Sequence, residues 1–179
     1  MKMYAIFGDS YISRLNKFNH GVLYDFNKKC KFYGVPGMST QRKFEPEFQK
    51  MMMDKPKYVF LLLGGNDINR ECEVIEIVNN IEHIVKRLKN NGVERVFVSS
   101  IAARGAFPAW TRLEKTRFDK VRRAINGKLF MVYKGDFVNL EKKLKFPKHY
   151  DKDLVHPGYS EGGMKVLGYI IKTCFSKCT

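Results

Sequence analysis

Short apolar runs that alternate with amphipathic helical patterns predict a three-layer α/β domain, a parallel sheet with helices on both faces. The links between runs are short, and parallel strands joined by helices must cross over right-handed and cover the sheet. The run Tyr58 to Leu63 is apolar at every position, as expected of a central strand covered on both faces. The 179 residues are enough to bury a core in one domain, 1–179. A hydrophobic fraction of 44% with 14 Phe against 6 Pro is the composition of a globular chain, because disordered chains are poor in aromatics.

The elements follow in order. Met3-Tyr4-Ala5-Ile6-Phe7 predicts a strand over 3–7, followed at once by Gly8-Asp9-Ser10 where a helix is about to begin. A weaker strand is predicted over 31–35. Phe44, Phe48, Met51 and Met52 mark a helix ended before Pro56, and the central strand covers 58–63. Val74, Ile77, Val78, Ile81, Ile84 and Leu88 recur at helical spacing until Asn91-Gly92 stops them. A strand over 95–101 comes next. Phe118, Val121, Ala124 and Ile125 predict a helix stopping at Gly127, which leaves Leu129 to Tyr133 as the fifth strand. Met164, Leu167, Ile170, Ile171 and Cys174 form the stripe of a last helix.

Composition excludes several classes. The longest apolar run falls far short of the roughly 20 residues that span a bilayer, and the N-terminus has no signal-peptide pattern, so an intracellular, cytoplasmic protein is expected. Cys30, Cys72, Cys174 and Cys178 form neither a disulfide framework nor a metal pattern. The glycines of a dinucleotide fingerprint do not follow the first strand, and no nicotinamide or flavin cofactor is expected. The net charge of +15 is uneven: residues 104–152 carry 14 Lys and Arg against 5 Asp and Glu. That stretch is either a partner surface for nucleic acid or an anionic membrane, or a solvated face that keeps the chain soluble.

Four short segments carry chemistry. Ser10, Gly37 and Asn66 each follow a predicted strand, so all three converge on the edge of a parallel sheet where open α/β folds bind ligands. Asp153 and His156 precede the last helix and can reach the same edge. A serine hydroxyl needs an adjacent base, for which His156 is the candidate, with Asp153 as acceptor for its Nδ1–H. Ser10 N–H, Gly37 N–H and the Asn66 amide can serve as an oxyanion hole. Each residue also has a plain structural reading. Ser10 can cap the first helix, and Pro36-Gly37 is the sequence of a type II turn. Gly64-Gly65-Asn66-Asp67 can be a strand-to-helix turn capped by Asp67 or Asn69, and Asp153 and His156 can be a surface pair. Their order along the chain favours the chemical reading.

The segments Phe7-Gly8-Asp9-Ser10, Gly34-Val35-Pro36-Gly37, Gly64-Gly65-Asn66-Asp67 and Asp153-Leu154-Val155-His156-Pro157 resemble the four conserved blocks of the SGNH, or GDSL-type, esterase superfamily. The resemblance runs nearly the whole chain. It implies Ser10 as nucleophile, Asp153 and His156 as its triad partners, and Ser10, Gly37 and Asn66 as the oxyanion hole. It also implies a flavodoxin-like sandwich with strand order 2-1-3-4-5 and no metal or organic cofactor. Within the superfamily the chain is most similar to the small acetylhydrolases related to the catalytic subunits of intracellular platelet-activating-factor acetylhydrolase. It is also similar to the esterase domains of the first open reading frame protein of non-LTR (LINE) retrotransposons, which the basic charge suits. It lacks the coiled-coil, zinc-knuckle and RNA-recognition segments of that larger protein and would be an excised domain of it.

The expected function is serine esterase activity on short-chain acyl esters, on small molecules or lipids. The alternative is a nucleic-acid- or anionic-membrane-binding domain of a retrotransposon ribonucleoprotein with little catalysis. The segment Ala102 to Arg112 interrupts the alternation at a strand end, with Phe107 and Trp110 either walling the acyl pocket or packing on a neighbouring helix.

Overall fold

The computed structural model describes residues 1–178. Five strands, β1 (Tyr4–Gly8), β2 (Cys30–Gly34), β3 (Tyr58–Leu62), β4 (Arg95–Ser99) and β5 (Phe137–Val138), form one parallel sheet in the order β2-β1-β3-β4-β5. β1 and β3 are buried at every position, and their side chains alternate between two cores as the period of a strand requires. Ala5, Phe7, Val59 and Leu61 enter one core, closed by α2 (Phe44–Met53), α3 (Val74–Asn90) and α4 (Lys115–Tyr133). Tyr4, Ile6, Phe60 and Leu62 enter the other, closed by α1 (Ser10–Phe18) and α5 (Gly163–Phe175). The predicted three layers and strand order are those observed.

The first four strands shift by one or two residues from their predicted bounds. The fifth differs outright. Leu129 to Tyr133 is the end of α4, which runs straight through Gly127, and β5 lies further on at Phe137–Val138. The reason is the period: Phe118, Val121, Ile125 and Leu129 are the buried stripe of one continuous helix, while Phe130, Met131 and Val132 are exposed, as Ala124 is. Gly127 faces open space and costs a helix only about 1 kcal/mol relative to Ala. A strand of two residues leaves no apolar run to recognise.

The helix α1 starts where its cap dictates. Asp9, not Ser10, occupies the N-cap, and its Oδ1 accepts the Tyr11 N–H at 3.0 Å. Ser10 is therefore the first helical residue, one turn too early to have an intrahelical partner for its own N–H. Neither Asp67 nor Asn69 caps α3: its N-cap is Glu73, without a side-chain bond.

Candidate active site

The strand ends deliver the predicted residues to one edge of the sheet. Ser10 Oγ lies 2.7 Å from His156 Nε2, across 146 residues of sequence. His156 Nδ1 lies 2.7 Å from Asp153 Oδ2, while Asp153 Oδ1 accepts the backbone N–H groups of Val155 at 2.8 Å and His156 at 2.9 Å. The carboxylate is an acceptor only, so it holds the proton on Nδ1 and turns the Nε2 lone pair toward the Ser10 hydroxyl. Arg14, one turn beyond Ser10 on α1, places Nη1 3.4 Å from Asp153 Oδ2.

The electrostatics suit a base. Burial pushes the His156 imidazole below its usual range; Asp153 works against this, and the positive charges of Arg14 and Arg104 add to it. Burial pushes the Asp153 carboxyl up, but the hydrogen bonds from His156 and Val155 outweigh it and hold the group at about 2. At neutral pH the pair is therefore a neutral imidazole beside a carboxylate.

Gly37 lies in the turn after β2, closed by Met38 N–H to Val35 O at 3.2 Å. Its φ of +78° is the conformation that position i+2 of a type II turn demands. Asn66 sits in a short 3₁₀ turn after β3, and its Nδ2 donates to Met38 O at 2.9 Å. Asp67 fastens the same two loops, accepting the Thr40 backbone N–H at 3.0 Å and the Thr40 hydroxyl at 2.5 Å. Gly37 and Asn66 are thus brought to neighbouring loops.

Several residues of the site escape sequence reasoning. Asp9 is buried beneath Ser10, and burial raises its carboxyl to about 6 against the opposing pull of Arg104. The Tyr11 hydroxyl donates to Val155 O, tying α1 to the loop of His156. Asn126 of α4 clamps the loop after β4, accepting Ile101 N–H at 2.7 Å and donating to Ile101 O at 3.0 Å. Arg104, read in the sequence as a charge within the strand-end segment Ala102 to Arg112, donates from Nη2 to Asn66 Oδ1 at 3.2 Å. Asp9 belongs to the Gly8-Asp9-Ser10 segment, but its burial, like the partners of Tyr11, Asn126 and Arg104, shows only in the folded arrangement.

Phe107 and Trp110 separate. Phe107 packs on Phe118 of α4 with ring centroids 5.1 Å apart, while Trp110 is 84% exposed. Part of the cationic stretch 104–152 is engaged within the fold. Buried Arg122 pairs with Asp119 and Glu141, Lys115 pairs with Asp119, and Arg117 donates to Cys72 O. Among the described residues no helix is long and apolar enough to cross a membrane. Among those residues, too, no group of three or more His, Cys, Asp or Glu is placed to hold a metal ion.

Known proteins share this fold. The chain is similar to a GDSL-like lipase from Bacteroides thetaiotaomicron at 21% identity and a TM-score of 0.82, over 99% of this chain and 89% of that one. It is similar to a lipase/acylhydrolase from Enterococcus faecalis at 16% identity and a TM-score of 0.72, over 99% and 96%. It also resembles the esterase EstA from Pseudoalteromonas sp., solved inhibited by monoethylphosphonate, at 14% identity and a TM-score of 0.66, over 99% and 98%. A search of curated proteins finds no match. The profile of the GDSL-like lipase/acylhydrolase family matches residues 6–159, a span that takes in the three strand-end segments and the segment of Asp153 and His156, and the chain belongs to that family.

Proposed function

We propose that the protein is a serine esterase that hydrolyses short-chain, acetyl-type esters through an acyl-enzyme on Ser10. The observation that carries this reading is the unbroken hydrogen-bonded chain Ser10–His156–Asp153, with 2.7 Å at both links. Ser10 Oγ attacks the ester carbonyl carbon as His156 Nε2 takes its proton. The oxyanion is received by the Ser10 and Gly37 backbone N–H groups and an Asn66 Nδ2–H. Collapse breaks the ester C–O bond, and the leaving alkoxide takes the proton from His156. Water, deprotonated by the same imidazole, then attacks the acyl-Ser10 carbonyl; collapse breaks the acyl C–Oγ bond, Ser10 Oγ takes the proton back from His156, and the carboxylic acid departs.

Support for a short acyl group comes from the likeness to small acetylhydrolases, and an ester group on a lipid presents the same bond.

The test is hydrolysis of p-nitrophenyl acetate by the wild type beside Ser10→Ala and His156→Ala, each with an unchanged circular dichroism spectrum. Loss in both variants supports the triad, and equal rates in all three proteins refute it. A profile from acetate to long-chain esters should peak at the short end. A maximum at long chains refutes the acyl-length part alone.

A further inference from the structure

We propose that Arg104 is a positioning residue for the oxyanion site, fixing which way the Asn66 amide faces. The proposal rests on reading Asn66 as an oxyanion donor. An asparagine amide rotated by half a turn has nearly the same shape but exchanges its donor and acceptor ends. Rotated the wrong way, Asn66 would hold a carbonyl oxygen against the developing negative charge.

Two partners of opposite kind choose between the orientations. Met38 O can only accept, and it takes one Nδ2 hydrogen at 2.9 Å. Arg104 can only donate, and its Nη2 is 3.2 Å from Oδ1. One orientation satisfies both, and it leaves the second Nδ2 hydrogen uncommitted.

Arg104 is held for this task. Its guanidinium lies 5.5 Å from the Phe118 ring centroid. Its loop is gripped on one side by Asn126 at Ile101, and on the other by Gly105 N–H to Leu154 O at 2.8 Å, next to Asp153. Gly65 leaves the room it occupies, since a Cβ there would stand 2.6 Å from Arg104 Nη2. Arg87, Arg95 and Arg122 each meet a carboxylate within hydrogen-bond reach. Arg104 instead meets an amide oxygen, with the buried Asp9 carboxylate as countercharge in the same small cavity.

The test is a double-mutant cycle on p-nitrophenyl acetate. Asn66→Ala should lower kcat on the order of 100-fold. Arg104→Gln should lower kcat about 10-fold with KM changed less than about 3-fold, yet cost under about 2-fold when added to Asn66→Ala. Arg104→Lys keeps a donor and the countercharge for Asp9 and should recover most of the rate. Gly65→Ala pushes on the guanidinium without removing its charge and should reproduce the loss in the wild type but not in Arg104→Gln. Should Arg104→Gln unfold, Gly65→Ala measured in the wild-type and Asn66→Ala backgrounds carries the same cycle, with a loss expected only in the first. An equal fold-loss from Arg104→Gln in both backgrounds overturns the proposal while leaving Asn66 as donor, and so does an unchanged kcat in Arg104→Gln. If Asn66→Ala is itself without effect while Ser10→Ala is inactive, the oxyanion reading of Asn66 fails and the proposal falls with it.

Discussion

Replacing Asp153 by Asn separates the catalytic from the structural work of one carboxylate. Its two oxygens have distinct duties: Oδ2 accepts the His156 Nδ1–H, and Oδ1 accepts two backbone N–H groups. An amide keeps one acceptor. If its NH₂ turns to the imidazole, the ring must carry its proton on Nε2 and can no longer accept from Ser10. If its NH₂ turns to the backbone, two N–H groups lose their partner. The first outcome costs roughly 10⁴-fold in rate in comparable triads. The structural cost follows from the acidity: the carboxyl sits at about 2 against an ordinary 3.8, which at 1.36 kcal/mol per unit is about 2.4 kcal/mol. The side chain is 36% exposed, so solvent screening reduces this to about 1 kcal/mol. The folded acidity constant is the depressed one, so this stabilisation is present above about pH 4 and fades toward pH 2. Urea unfolding at pH 7 should therefore show Asp153→Asn about 1 kcal/mol less stable than wild type, with the gap closing near pH 2. Its kcat/KM for p-nitrophenyl acetate should fall by at least about 1,000-fold. A folded variant within 10-fold of wild type would refute the orienting role, and a gap that persists in acid would refute the electrostatic account of its stability.

His156 must be neutral to act, and its acidity is shifted below the usual imidazole range, so kcat/KM should hold at slightly acid pH and fall only below about 6.5. Removing the positive charge in Arg14→Gln favours the imidazolium and should move that acid limb to higher pH; an unmoved limb or one moved to lower pH refutes the assignment. Phe107→Ala should cost about 1–2 kcal/mol by urea unfolding, because its ring is partly buried on Phe118. Trp110→Ala should stay within about 0.5 kcal/mol, and equal losses from the two would contradict the packing.

The sequence makes the sheet and the Ser10–His156–Asp153 arrangement legible for the same reason. Apolar runs such as Tyr58 to Leu62 and stripes such as Ile77, Ile81, Ile84 and Leu88 are one-dimensional projections of burial. Parallel topology then sends Ser10, Gly37 and Asn66 to a single edge. What stays hidden has no such projection. The apolar run Leu129 to Tyr133 looks like a strand, and only the register of Phe118, Val121, Ile125 and Leu129 along α4 reveals a helix. β5 is too short to leave a pattern. Arg104, Asn126 and Tyr11 act through partners 25 to 144 residues away, distances at which local spacing carries no information.

The separation of 146 positions from Ser10 to His156 also sets when both members of the proposed pair exist. β1 to β4 and the helices between them are complete by Ser99, before Asp153 and His156 have been synthesised. A growing chain thus carries Ser10, Gly37 and Asn66 before it contains Asp153 and His156, the residues proposed to activate Ser10. On the proposed reading Ser10 gains its base only once the segment carrying Val155 docks on Tyr11, and hydrolysis would then report that the C-terminal part of the chain has reached its place.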